Sequence, residues 1–417
     1  MTGSASGQAA PPPPRQVPAA APAATASAVP AVPRARPVVP VATVPARPVA
    51  PPPPAPRPVV AASVAPPPEP QPPAARRPRR GLVPPVVAAE VVLVLVLLVL
   101  DRSWPVLVTV ACCGVALGAF VTVRVRGQLL CRWVLVALRF LLRARAADLP
   151  GEQPGTALLG LVRPGAECAH TMIGDAQAFV VSDATGVGAV LRPESNRRDP
   201  VLTPRDLLPG ADDALAYAVQ VVQHAGVDRS QPARVWLTLR ALRTAAVYAD
   251  EDVLAALANV VRRVRRRLRK AGTPFRPLTE QETLGSYAAL AHVNAGRGLV
   301  REDWWHWHSG PIRHATFRLD GWAGLSGPAA ARLARWLLAA APDTAVTLSH
   351  TAHHDPANPG DPVVGAVLRI ATSRPDALAA AVTDVTALAR EVGVTLTRWD
   401  GRHALGLAAT LPLGVTV

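Results

Sequence analysis

PIRHATFRL, residues 311–319, sets the reading of the last third of the chain. Ala315, Phe317 and Leu319 alternate onto one face, which is the period of a strand with one side buried. Helical spacing follows over about 328–341, and then come two strand-like runs, TAVTLSH (344–350) and VVGAVLRIA (363–371). The next helix is well punctuated. Ser373 can cap it, Pro375 and Asp376 lie in its first turn, and Gly393 stops it. Leu378, Val382, Val385, Ala389 and Val392 form its apolar stripe. VTLTRW (394–399) closes the set. The order β-α-β-β-α-β is that of a ferredoxin-like split unit, with helices on one face of a sheet.

Working back toward the N-terminus, residues 151–417 read as one α/β domain of α+β or α/β class. AFVVSDATGVGAVLRP (178–193) reads as two strands around an Asp-Ala-Thr-Gly turn. A helix over 211–225 and the strand ARVWLTLRA (233–241) follow. Asp250 to Lys270 is a helix with Leu254, Leu257, Val261, Val264 and Leu268 along one seam. Its acidic start and basic end both complement the helix dipole. Residues 187–277 thus show part of the same strand and helix order as the last third, consistent with a degenerate internal duplication.

Two apolar runs lie upstream: LVPPVVAAEVVLVLVLLVL (82–100), with Glu90 as its one charge, and WPVLVTVACCGVALGAFVTV (104–123), with none. At about 1.5 Å per residue each spans roughly 28–30 Å as a helix, the thickness of a bilayer's hydrocarbon core. Only Asp101, Arg102 and Ser103 separate them, so 82–123 reads as a transmembrane helical hairpin. Arg76, Arg77, Arg79 and Arg80 precede it and Arg124 and Arg126 follow it; the excess of positive charge places both flanks on the cytoplasmic side of the inner membrane. Residues 124–150 are expected to form a basic amphipathic connecting helix. It would present Arg132, Arg139 and Arg143 to headgroup phosphates and Trp133 to acyl chains. Residues 1–81, rich in Pro and Ala with Glu69 as the only acid, read as a disordered tail with local polyproline II structure.

The formal net charge of +15 rests almost wholly on Arg, since Lys270 is the only lysine. Four cysteines without C-x-x-C spacing support neither a disulfide framework nor a cysteine zinc site. No Walker loop is present, because Lys270 is followed by Ala-Gly-Thr, so the chain is expected to hydrolyse no ATP. RRVRRRLRK (262–270) lacks the aromatic interleaving of a nucleic-acid surface, and Arg262, Arg265 and Arg266 suit an acidic protein or anionic headgroups instead. WWHWHSG (304–310) and HTAHHD (350–355) contain histidines, yet neither has the convergent spacing of a zinc site. No catalytic, cofactor-binding or metal residues are assigned. The competing class is a membrane-anchored transferase or hydrolase acting on envelope precursors, whose mark would be a deep pocket with convergent Asp, Glu or His at the sheet's edge.

The layout of two N-terminal spans, a basic helix and an α/β domain resembles EccE, a membrane component of type VII (ESX) secretion systems. REDWWHWHSGPIRHATFRL (301–319) is similar to that family's Trp-rich stretch running through a Gly into a strand. The resemblance implies a scaffold subunit packed beside EccB, EccC and EccD components, with an EccC-type ATPase supplying energy and no cofactor on this chain. Trp304, Trp305 and Trp307 would then be anchors at a partner interface.

Overall fold

The computed structural model describes most of residues 103–416, with short gaps at 126–127, 150, 175, 196–201, 211–214, 295–297 and 356–357, and helical positions 90, 93, 94 and 97. The described residues belong to one compact unit. The proline-rich tail, Arg76, Arg77, Arg79, Arg80, Arg126 and nearly all of the first apolar run lie outside the described residues; Arg124 is exposed.

Helix α1 (Trp104–Thr122) carries no charged residue and begins on Ser103 with a proline in its first turn. Among the described residues, no helix is long and apolar enough to cross a membrane. The side chains of Leu107, Leu117 and Val121 in α1 fall outside that set. A two-residue ladder, β1 (Arg124–Val125) with β2 (Gln128–Leu129), turns the chain into α2 (Leu130–Leu142). Within the 124–150 expected as a single connecting helix, the helix covers only 130–142, with short strands before and after it. Strand β3 (Ala146–Asp148) joins the edge of the main sheet by pairing with β10 (Leu299–Glu302). Helix α3 (Pro154–Val162) then leads into the domain.

The domain is built twice. In the second half, β12 (Ile312–Asp320), α7 (Gly327–Ala339), β13 (Ala345–Asp355), β14 (Asn358–Thr372), α8 (Pro375–Glu391) and β15 (Thr395–Arg398) follow one another, and the sheet order is β15-β12-β14-β13. That is the split unit the alternation in 311–319 leads to. In the first half, β6 (Gly186–Pro193), the short α4 (Pro204–Leu207), β7 (Ala216–Ala225), β8 (Arg234–Leu242), α5 (Asp250–Lys270) and β9 (Phe275–Pro277) give the order β9-β6-β8-β7. A meander precedes each: β4 (Glu167–Ile173) with β5 (Ala176–Asp183) pairs onto β6, and β10 with β11 (Trp307–Ser309) pairs onto β12. A helix closes each: α6 (Glu280–Leu290) after β9, and α9 (His403–Thr410) after β15.

The halves join through β7 and β13, antiparallel, with Val221 opposite His350, Ala218 opposite His353 and His224 opposite Thr347. In this register Ala218 plays the part of Thr347 and His224 that of His353, as a local two-fold axis between Val221 and His350 requires. Arg240, which pairs with Ala218, and Arg369, which pairs with Thr347, are therefore equivalent, and both are buried. The internal duplication is real and runs beyond 187–277, through about 167–290 and 299–410.

Helices cover both faces of the sheet, not one. Valines and leucines of β6, β7 and β8 pack under α5, and those of β12, β13 and β14 pack under α7 and α8. The other face, from both halves, is closed by α3, α6, α9 and residues 411–415. That second layer explains one correction. Residues 216–225 form strand β7, not part of a helix over 211–225, because both faces of a central strand are buried and its period-2 signal is lost. The N-cap of α8 is Arg374, without a side-chain capping bond, rather than Ser373; Gly393 does end the helix, at φ 76°.

Candidate functional site

Where β10 turns into β11, the loop Asp303–His306 presents the Trp-rich stretch between α2 and the C-terminal elements. Asp303 Oδ1 accepts hydrogen bonds from the backbone N–H of Trp305 (2.7 Å) and His306 (2.6 Å), and Oδ2 from His308 Nε2 at 2.7 Å. Burial tends to raise the Asp303 pKa, but these hydrogen bonds outweigh it and hold the carboxyl below its ordinary value. The His306 pKa is pushed down to about 4, first by burial and then by the Arg398 guanidinium, whose Nη2–H donates to His306 Nε2 at 3.1 Å.

The three tryptophans are not equivalent. The Trp304 ring lies edge-on to Phe140, centroids 5.3 Å apart, and 5.9 Å from Trp133, so it fastens α2 to the domain. Trp133 thus faces protein, not acyl chain. Trp307 is 3% exposed and its Nε1–H donates to Ser309 Oγ. Trp305 is 46% exposed, with Arg398 over its ring at 5.8 Å. Trp307 is thus buried, Trp304 half-buried and Trp305 exposed, so Trp305 offers the most ring to a partner.

Below the tryptophans, Arg143 at the end of α2 pairs with Glu302 and donates to Gly401 O at 3.0 Å. The Glu302 carboxylate also accepts from Ala404 N at 3.1 Å. Burial raises the Glu302 pKa, and Arg143 works against that rise. Arg143 is consequently a strut rather than a lipid-facing group. Gly401, at φ 67°, is held against Trp304: a Cβ there would lie 2.6 Å from the ring. No motif announced these partners, since residues 302, 398, 401 and 404 converge only through the sheet.

On α5, Arg262 and Arg266 are exposed, together with Arg263, Arg269 and Lys270, while Arg265 is half-buried and its Nε donates to Phe275 O at 3.2 Å. The basic run is thus a ridge facing away from the valine and leucine seam. The tryptophan loop and the basic ridge lie in different repeats of the fold.

A cleft of about 620 Å³ opens at the β4–β5 edge beside the N-termini of α3 and α6. It holds Glu152, His170, Gln177 and Glu280, with His170 Nε2 3.0 Å from Glu280. Both members of that pair are half-exposed.

Residues 230–319 match the EccE family. The family is described as "Putative type VII ESX secretion system translocon, EccE". The EccE match runs from just before β8 through α5, α6, β10 and β11 to the end of β12, so it contains both the basic ridge and the whole tryptophan loop. It leaves out the apolar runs and most of the second repeat, and of the edge cleft it leaves out α3, β4 and β5 while containing Glu280 and the rest of α6. No curated protein matches the chain.

Proposed function

We propose that this chain is a non-catalytic, membrane-anchored structural subunit of a type VII (ESX) protein secretion complex. The observation that carries the reading is that the EccE match frames the tryptophan loop and the basic ridge, two surfaces suited to partners. Its sequence neighbours in such a complex would be subunits of EccB, EccC and EccD type, with energy supplied by an EccC-type ATPase.

The anchor is residues 82–123. The run 104–123 has no charge in sequence, and α1 is helical through Thr122, about 28 Å at 1.5 Å per residue. Arg124 and the basic flanks keep the domain on the cytoplasmic side of the inner membrane. Helix α2 extends the anchor along the membrane surface. Val134, Leu135, Leu138, Leu141 and Leu142 are exposed along one side of it, bordered by exposed Arg132 and Arg139. Residues of α2 that face the domain, Val136 and Phe140, are buried. An apolar strip with arginine along its border fits acyl chains below anionic headgroups. No nucleic acid is part of this reading.

The edge cleft favours the second reading, a membrane-anchored hydrolase or transferase, because it gathers Glu152, His170 and Glu280. The cleft is open and its His170–Glu280 pair is half-exposed, where water screens the two charges.

Affinity purification of the full chain from detergent, with mass analysis of what co-elutes, separates the two. EccB-, EccC- and EccD-type membrane proteins in constant ratio are expected. Recovery of the chain alone, or with a soluble envelope precursor whose turnover His170→Ala abolishes, contradicts the structural reading.

A further inference from the structure

The geometry points to a divalent-metal site at Asp303, His306 and His308, taking a borderline ion such as Zn²⁺. One carboxylate oxygen and two imidazole nitrogens, one from each residue, lie within 4.8 Å of one another. Two of the separations are 2.7 Å, from His308 Nε2 to Asp303 Oδ2, and 3.7 Å, from His306 Nδ1 to Asp303 Oδ1. A tetrahedral zinc with bonds of about 2.0–2.1 Å spaces its ligands roughly 3.3–3.4 Å apart. The two pairs use different oxygens of Asp303, and Oδ1 already accepts two backbone N–H groups, so the ion would take Oδ2 together with His308 Nε2 and His306 Nδ1, with His308 carrying its proton on Nδ1 instead.

Two further features belong to the same place. His403 is 0% exposed, its ring is stacked on His306 with centroids 6.4 Å apart, and neither of its ring nitrogens has a hydrogen-bond partner. A buried imidazole without a partner is rare, because the desolvated group costs stability. Water bound to a metal held by His306 is the kind of group that would satisfy it. Arg398 is the opposing element. Its Nη2–H donates to His306 Nε2 and, at 2.7 Å, to Trp305 O. With the ion on Nδ1, the Nε2 of a neutral His306 carries the proton and cannot accept that bond, so Arg398 must withdraw toward Asp400, whose Oδ1 lies 3.2 Å from its Nε. Arg398 thus competes with the metal, and since it also covers Trp305, loading the site would uncover that ring.

The test uses the full-length chain purified in detergent without a polyhistidine tag, with its four cysteines replaced by serine to remove thiolate ligands. After chelator treatment it is titrated with Co²⁺, a spectroscopic stand-in for Zn²⁺, while Trp emission is followed. One equivalent giving the d–d bands of a four-coordinate ion, discharged by Zn²⁺, is expected. His308→Ala and His306→Ala should each weaken binding at least ~10-fold with an unchanged melting profile, whereas Arg398→Gln should tighten it severalfold. The Arg398→Gln result keeps the idea testable even where a histidine variant misfolds, because a structural role for the cluster predicts no gain in affinity. Absence of the bands, or bands that survive in the His306→Ala, His308→Ala double variant, overturns the assignment.

Discussion

Trp305 and Trp307 are two residues apart, yet the structure gives them opposite duties. Truncating Trp307 empties a buried site beside Ser309, so Trp307→Ala should cost about 3–5 kcal/mol of stability. Trp305→Ala removes an exposed ring and should change stability by no more than about 0.5 kcal/mol. Denaturant midpoints of the two variants, set beside co-purification of partner subunits, give the contrast: the first loses folding, the second loses partners. Gln220 is another single residue with a large share. Its two Nε2 hydrogens are shared among Ser349 Oγ, Ala409 O and Leu411 O, and its Oε1 accepts from Gly414 N, so one buried side chain stitches both repeats to the C-terminal segment. Gln220→Ala strands several buried groups and should lower stability by about 3 kcal/mol or more, read as an earlier unfolding midpoint. Buried histidines set the pH response. Burial holds the pKa of His350 down to about 4, and burial with Arg369 nearby holds that of His224 down to about 3, against 6.5 when exposed. Below 6.5 the unfolded chain therefore binds more protons than the folded one, and stability falls as pH drops toward 4. Unfolding midpoints at pH 7.5, 6 and 5 should decline in that order, and His350→Gln should flatten the slope.

Among the elements, α5 and α8 are legible in the sequence because each has a clear edge and a one-sided apolar seam. Asp250, Glu251 and Asp252 open α5, and Gly393 closes α8 at positive φ. Strand β7 is not legible, because burial on both faces erases the alternation that marks a strand. Helix α6 has a capping box, Thr279 with Glu282, which is readable as a motif but lacks a strong apolar stripe to accompany it. Of the loop site, the run of Trp and His is visible, and which ring is exposed is not. That depends on Phe140, Arg398 and Gly401, contributed from far along the chain. The join between α2 and the domain makes its own prediction. Arg143→Ala leaves the Glu302 carboxylate buried without its cation, so limited proteolysis should cut near residues 143–150 in that variant well before it cuts the parent chain.

For the whole molecule, the ferredoxin-like unit of the last third is the part the sequence announces most clearly, and its duplication emerges only from pairing. The β7–β13 ladder makes the two copies one sheet, with Arg240 and Arg369 at matching buried positions. Of these, Arg240 is answered by Asp183 while Arg369 meets His314 Nδ1 at 3.2 Å and Thr347. The two copies have thus diverged at the residue level while keeping strand order, which is why sequence periodicity alone does not reveal the repeat. A domain so braced suits a fixed part of an assembly, and the proposed function places it beside a membrane. The direct test of that placement is thiol labelling of Cys168, exposed on β4, in cells carrying the full chain with Cys112, Cys113 and Cys131 changed to serine. A membrane-impermeant maleimide should modify Cys168 only after the inner membrane is permeabilised, and the chain should stay with the membrane pellet. Labelling in intact cells, or recovery of the full chain from the soluble fraction without detergent, would contradict it.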